Sequence, residues 1–173
     1  MNNQLDWSEN TAVLVKKVNQ RMQLLRAVWG FGSSIKEMVH LWKLFCRSVL
    51  EQSCVVWGSS LTQENQDDLE RTQKSFAKLV LRDKYTNYET ALINLDLEEL
   101  GLRRHKLMLT FAKDGLETGI LKKYFPERNT VHNMELRHPD KYRTTKVHTE
   151  RLKNSSIPFM QRQLNLNEAS QVK

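Results

Sequence analysis

The chain has 173 residues, 39% of them apolar, with two cysteines and a formal net charge of +7, enough for one domain with a modest core and an appended segment. Its longest uncharged run, Gln52 to Gln63, is twelve residues, well short of the roughly 20 that a membrane span needs, and its opening, MNNQLDWSEN, has neither the basic start nor the apolar core of a secretory signal. These features exclude a membrane span and a disulfide scaffold, and they point to an intracellular, reducing compartment without separating nucleus from cytoplasm.

Ser8 reads as an N-cap, after which Val15, Val18, Met22, Leu25 and Trp29 recur at intervals of three and four, the period of an amphipathic helix. Lys16, Lys17, Arg21 and Arg26 fall mainly off that stripe, and Gly30 with Gly32 supplies the stop. A second helix starts at Ser33 or Ser34. Its wide apolar face comprises Ile35, Met38, Val39, Trp42, Phe45, Cys46 and Val49, and the pattern runs on to Trp57. On one continuous helix Cys46 and Cys54 are separated by about 12 Å of rise, which forbids a disulfide. Gly58, Ser59 and Ser60 break the pattern, Thr62 offers another N-cap, and Leu69, Thr72, Phe76, Leu79 and Val80 mark a third stripe. Short connections of this kind favour antiparallel neighbours. Past the DKYTN turn, residues 88 to 94 form a short helix, and Leu100, Leu107, Phe111 and Leu116 mark a longer one between Gly101 and Gly119.

From Ile120 onward the periodicity fades, and two of the three prolines, Pro139 and Pro158, fall in the last 35 residues. The expected fold is all-α. An irregular bundle of about four main helices fills residues 1–119, and a basic, loosely structured, partly ordered tail follows over residues 120–173, with Tyr124, Phe125, Ile157, Phe159 and Leu164 as the residues able to dock on the body. No internal repeat and no strand-rich region is visible.

Charge is unevenly spread: residues 1–118 carry 16 Lys/Arg against 15 Asp/Glu, whereas residues 119–173 carry 11 against 5. A basic segment on a near-neutral body fits a polyanionic partner, above all nucleic acid, because lysine and arginine gain by displacing counterions from phosphates; a solvated tail fits the same composition.

Catalytic patterns fare poorly. Cys54 lies among Val55, Val56 and Trp57 rather than beside a base, so both cysteines read as small core hydrophobes. His132, Glu135 and His138 are the only dense group of metal-ligating residue types, but their spacing matches no common zinc pattern. Asp67 and Asp68 precede LERTQKSFAKLVL, a helical pattern, which puts them near the start of a helix, where its dipole favours carboxylates. Two-metal chemistry needs a further acid on a neighbouring strand. The expectation is therefore no catalytic residue, no metal and no cofactor.

Taken together and in order, LVKKVNQRMQLLRAV, IKEMVHLWKLFCRSVLEQSCVVWGSSLT and LERTQKSFAKLVL resemble the region just after the palm in reverse transcriptases of non-LTR, jockey-like retrotransposons. FPERN at 125–129 and RTTKVHTERLKNSSIPFMQRQLN at 143–165 are similar to the extreme C-terminal segment of such polyproteins. The resemblance implies a helical thumb and C-terminal region, which in that family helps hold the template and primer duplex beside a catalytic palm. The family often has proline and tyrosine at the positions of Ser48 and Gln52 and proline at that of Val55, so the second helix is expected to be straighter and longer here. The fingers, and the palm with its aromatic-X-Asp-Asp motif, have no counterpart, so the chain reads as a truncated element remnant.

The function expected from the sequence is non-catalytic, non-specific binding of nucleic acid, RNA or an RNA–DNA hybrid. The candidate phosphate ligands are Lys16, Lys17, Arg21, Arg103, Arg104 and Lys106, with Lys141, Arg143, Lys146, Arg151 and Lys153 from the C-terminal segment. The alternative is a protein-interaction or structural helical module, or a remnant with no selected role, that self-associates through exposed helix faces.

Overall fold

Residues 7–127 and 141–171 are described by the computed structural model, with side chains to residue 167. Among them the chain is all-helical; the nearest approach to a sheet is an isolated antiparallel bridge between Glu127 and Tyr142. The chain forms two units, one from residues 1–54 and 61–104, the other from residues 55–60 and 105–173. Residue 120, where the sequence reading places the start of the tail, falls inside the second.

The first unit opens with α1 (Ser8–Gly30). Trp7 occupies the N-cap position, and Ser8 Oγ instead accepts a 3.2 Å hydrogen bond from Asn65 Nδ2. Thr11, Leu14, Val18, Met22 and Leu25 are buried, one helical face at the three-and-four spacing. Gly32 takes φ +87°, a conformation costly to any residue with a Cβ, and turns the chain. α2 (Ile35–Leu41) starts at a capping box: the Glu37 amide donates to Ser34 Oγ at 3.3 Å while Ser34 N–H donates to Glu37 Oε2 at 2.7 Å.

The second helix is not straight. Residues Trp42–Arg47 widen into a π-helix, α3 (Ser48–Leu50) is a single turn, and the chain breaks over Glu51–Ser53 before α4 (Cys54–Trp57). Ser53 adopts φ +54°, so the helix stops without glycine or proline and does not continue to Trp57 as its composition suggested. A 3-10 turn, Gly58–Ser60, leads to α5 (Gln63–Leu81), capped by Thr62 Oγ1, which accepts from the Asn65 amide at 3.2 Å. α6 (Tyr88–Asn94) is capped by Asn87, and α7 (Leu100–Glu117) gives its first turn to this unit and its remainder to the second.

α1 and α5 run in the same direction. Their starts meet at Ser8 and Asn65, and near their ends the Arg82 guanidinium lies 5.5 Å over the Trp29 ring. The α2–α3 segment is the return strand of chain between them, so antiparallel pairing holds between successive segments and gives a parallel pair two segments apart. In the core Trp42 stacks on Phe76, ring centroids 4.6 Å apart, and donates its indole N–H to Gln73 Oε1 at 3.3 Å. Gln73 is fully buried, and its Nε2 donates to Tyr88 Oη at 2.9 Å and to the Glu98 carbonyl at 2.8 Å. Tyr88 donates in turn to Glu70, which also accepts from the Leu100 amide at 3.0 Å. A buried glutamine is tolerated because both ends of its amide are used.

In the second unit Met108, Ala112, Leu121, Phe125, Tyr142, Met160 and Leu164 form a buried cluster, with Val55, Leu116, Ile157 and Phe159 packed against it. Four of the five residues expected to dock, Phe125, Ile157, Phe159 and Leu164, belong to it, while Tyr124 stays 45% exposed. The buried line of α7 is Leu100, Arg104, Met108 and Ala112; Phe111, expected on that line, is 45% exposed. α9 (Ser156–Gln171) supplies Met160 and Leu164 after the short α8 (Glu150–Lys153).

Candidate nucleic-acid interface

Two carboxamides one turn apart on α9 position an extended segment of chain. Asn165 Oδ1 accepts from the Tyr142 amide and its Nδ2 donates to the Tyr142 carbonyl, both at 3.0 Å, as a neighbouring β-strand would. Gln161, 1% exposed, does the same work further along. Its Oε1 accepts from the Thr145 amide at 2.8 Å and from Thr145 Oγ1 at 2.9 Å, and its Nε2 donates to the Tyr124 carbonyl at 2.6 Å. On its other edge the segment is tied by the Arg143 amide, which donates to the Pro126 carbonyl at 2.9 Å. Residues 141–146 are thereby held against the 3-10 turn Lys122–Tyr124.

The result is a groove of about 380 Å³ whose walls include Lys123, Tyr124, Arg143, Thr144, Lys146 and Ile157. Among the described residues its lining contains three cations and no carboxylate. Lys123, Arg143 and Lys146 are all exposed, and Lys123 Nζ lies 4.7 Å from the Tyr124 ring centroid. Three exposed cations sharing one lining, on a backbone pinned by buried amides, have the chemical character of a phosphate-binding surface.

The other expected ligands are dispersed. Lys16 and Lys17 are exposed on α1, and Lys16 lines a separate groove of about 730 Å³ between α1 and α5, where Arg71 is paired with Asp68 at 2.6 Å. Arg21 is half-buried and engaged within the first unit, donating to the Phe45 carbonyl with its guanidinium 4.5 Å from the Phe45 ring. Arg103 forms a bidentate pair with Glu51, Nε to Oε1 at 2.5 Å and Nη2 to Oε2 at 3.1 Å; this bond holds its pKa above the ordinary arginine value. Glu51 also meets Arg47 at 3.7 Å. Arg104 is 3% exposed, burial pushes its pKa down, and its Nη1 has no hydrogen-bond partner among the described residues. Arg103 and Arg104 thus serve the interior of the first unit rather than a surface. Lys106 is exposed on α7 and Arg151 on α8; Lys153 pairs with Glu150 at 3.0 Å, and Lys141 lies 5.4 Å from the Tyr142 ring, beside a different hollow shared with Lys113 and Glu117.

Of the eleven expected cations, only Arg143 and Lys146 meet in the groove. Lys123 and the two amides of α9 went unread, although the runs KKY at 122–124 and RTTK at 143–146 carry the signal of a basic stretch next to an aromatic.

No protein-family model matches the chain, and neither a curated protein nor a solved structure matches it significantly. Cys46 and Cys54 are both buried and unbridged; burial pushes the Cys46 thiol up to about 11 and raises that of Cys54. Asp67 and Asp68 lie in the first turns of α5, where Asp67 accepts from Gln63 Nε2 at 2.9 Å and Asp68 pairs with Arg71. Among the described residues no group of three His, Cys, Asp or Glu is arranged to hold a metal ion; His132, Glu135 and His138 lie outside them. No described helix is long and apolar enough to cross a membrane.

Proposed function

We propose that the chain is a non-catalytic, nucleic-acid-binding helical module, a thumb-like fragment of a non-LTR retrotransposon reverse transcriptase that holds RNA or an RNA–DNA hybrid without sequence selectivity. The observation that carries this reading is the groove of the second unit, whose lining among the described residues holds Lys123, Arg143 and Lys146 and no carboxylate. The charge asymmetry of the sequence, with 11 Lys/Arg against 5 Asp/Glu after residue 118, and the ordered resemblance to the post-palm region support it. Three phosphate contacts give a slope of log affinity on log salt of about −2.1 for a single strand and about −2.7 for a duplex, a loss of roughly 20- to 40-fold between about 50 and 200 mM salt. Filter binding of the full chain to a labelled RNA–DNA hybrid at those two salt concentrations tests it. Salt-insensitive or undetectable retention ends the reading.

A second reading, a protein-interaction module, is favoured by Phe31 and Ile93, which are 90% and 80% exposed on the first unit. Sedimentation separates the two: a monomer that binds the hybrid supports the first, and self-association without hybrid binding supports the second.

A further inference from the structure

We propose that the groove of the second unit receives one unpaired nucleotide of a single strand, with its phosphate on Arg143 and Lys146 and its base against the Tyr124 ring. The inference rests on the nucleic-acid reading above and narrows it. A duplex keeps its bases stacked inside and offers a protein mainly its sugar–phosphate surface, so it uses cations on a rim but not the face of an aromatic ring. A volume of about 380 Å³ is of nucleotide scale and far too small for a double helix. The groove also holds what an unstacked base needs. Tyr124 is 45% exposed, half-buried Ile157 and Pro126 give apolar wall, and Thr144 carries an exposed hydroxyl within reach of a sugar–phosphate backbone.

Base identity goes unread in such a site. Among the described residues Gln161 is the one carboxamide in the lining, and its oxygen and nitrogen are already committed to Thr145 and Tyr124. Stacking on a ring accepts any base, so uridine-rich and adenine-rich strands should bind within a few-fold of each other.

The experiment titrates the full chain and its Tyr124→Ala and Tyr124→Phe variants with an unstructured oligouridylate and, separately, with a blunt-ended RNA–DNA hybrid, by fluorescence anisotropy. Circular dichroism confirms that each variant is folded. Expected are a loss of roughly tenfold or more for the single strand with Tyr124→Ala, retention with Tyr124→Phe, and a change below about twofold for the hybrid, whose binding is carried by phosphate contacts. Uridine monophosphate should compete for the single strand and inorganic phosphate at the same concentration should not. Equal losses for strand and hybrid, no loss for the strand, or equal competition by phosphate would overturn the proposal while hybrid binding stands. Absence of binding to either nucleic acid removes the proposal together with the reading beneath it.

Discussion

Replacing Gln161 with leucine tests whether one buried amide builds the basic groove. Leucine keeps the volume of the side chain and its packing on α9, so the change isolates three hydrogen bonds: two accepted from Thr145 at 2.8 and 2.9 Å and one donated to the Tyr124 carbonyl at 2.6 Å. Each such bond contributes about 1 kcal/mol net, and water can reach the released groups along the exposed segment, so the expected cost is about 2–3 kcal/mol rather than the larger penalty of a sealed orphan. With an m-value of about 1–3 kcal/mol per molar, the urea midpoint of the second unit falls by about 0.7–3 M. Amide hydrogen exchange at Thr145, whose N–H loses its acceptor, should quicken at the same time. Gln161→Glu makes a useful contrast: the carboxylate still accepts from Thr145 but cannot donate to Tyr124, and it places a negative charge in the lining shared by Arg143 and Lys146. That variant should lose nucleic-acid affinity out of proportion to its loss of stability. Unchanged urea unfolding together with unchanged Thr145 exchange in Gln161→Leu would refute the reasoning.

Arg103→Gln is expected to lower stability by about 2 kcal/mol through loss of the bidentate pair with Glu51, seen as a lower urea midpoint, and to leave hybrid affinity unchanged, because this guanidinium faces Glu51 and not a phosphate. Ser53→Gly removes a left-handed penalty of about 1 kcal/mol at φ +54° and should raise the melting temperature. The Cys46 thiol, buried with its pKa near 11, should resist alkylation at pH 8 in the native chain and react readily in urea, with peptide mapping as the measurement. Glu37, exposed, has its pKa lowered below the usual 4.5 first by the Ser34 backbone bond and then by its hydroxyl; the capping box is therefore at full strength above pH 4.5 and fades as acidification crosses the lowered value, which an NMR titration of the Glu37 carboxyl follows.

Much of the helical architecture was legible because its signals are local. Ser34 with Glu37 three residues on, and Thr62 ahead of Asn65, announce helix starts through side-chain reach alone. The break at Ser53 was not legible, since no glycine or proline marks it and Ser53 adopts the left-handed conformation regardless. On α7 the large apolar side chains drew attention to Leu107 and Phe111, yet the buried line runs through Arg104 and the small Ala112. The site shows the same asymmetry. Positive charge can be counted from the chain, but burial and pairing cannot, so Arg103 and Arg104 read as phosphate ligands while Lys123 was passed over. Gln161 and Asn165 look like ordinary surface positions of a helix until the segment they hold is seen.

The parallel arrangement of α1 and α5 bears on how the first unit is made. Ser8 and its partner Asn65 are 57 positions apart, so α1 waits for a distant stretch of chain before its apolar stripe is fully covered. Loop closure over that distance must precede the reward of packing. Biosynthesis halted anywhere before Gln63 would present Leu14, Val18, Met22 and Leu25 with no α5 to cover them, the kind of sticky surface that chaperones recognise.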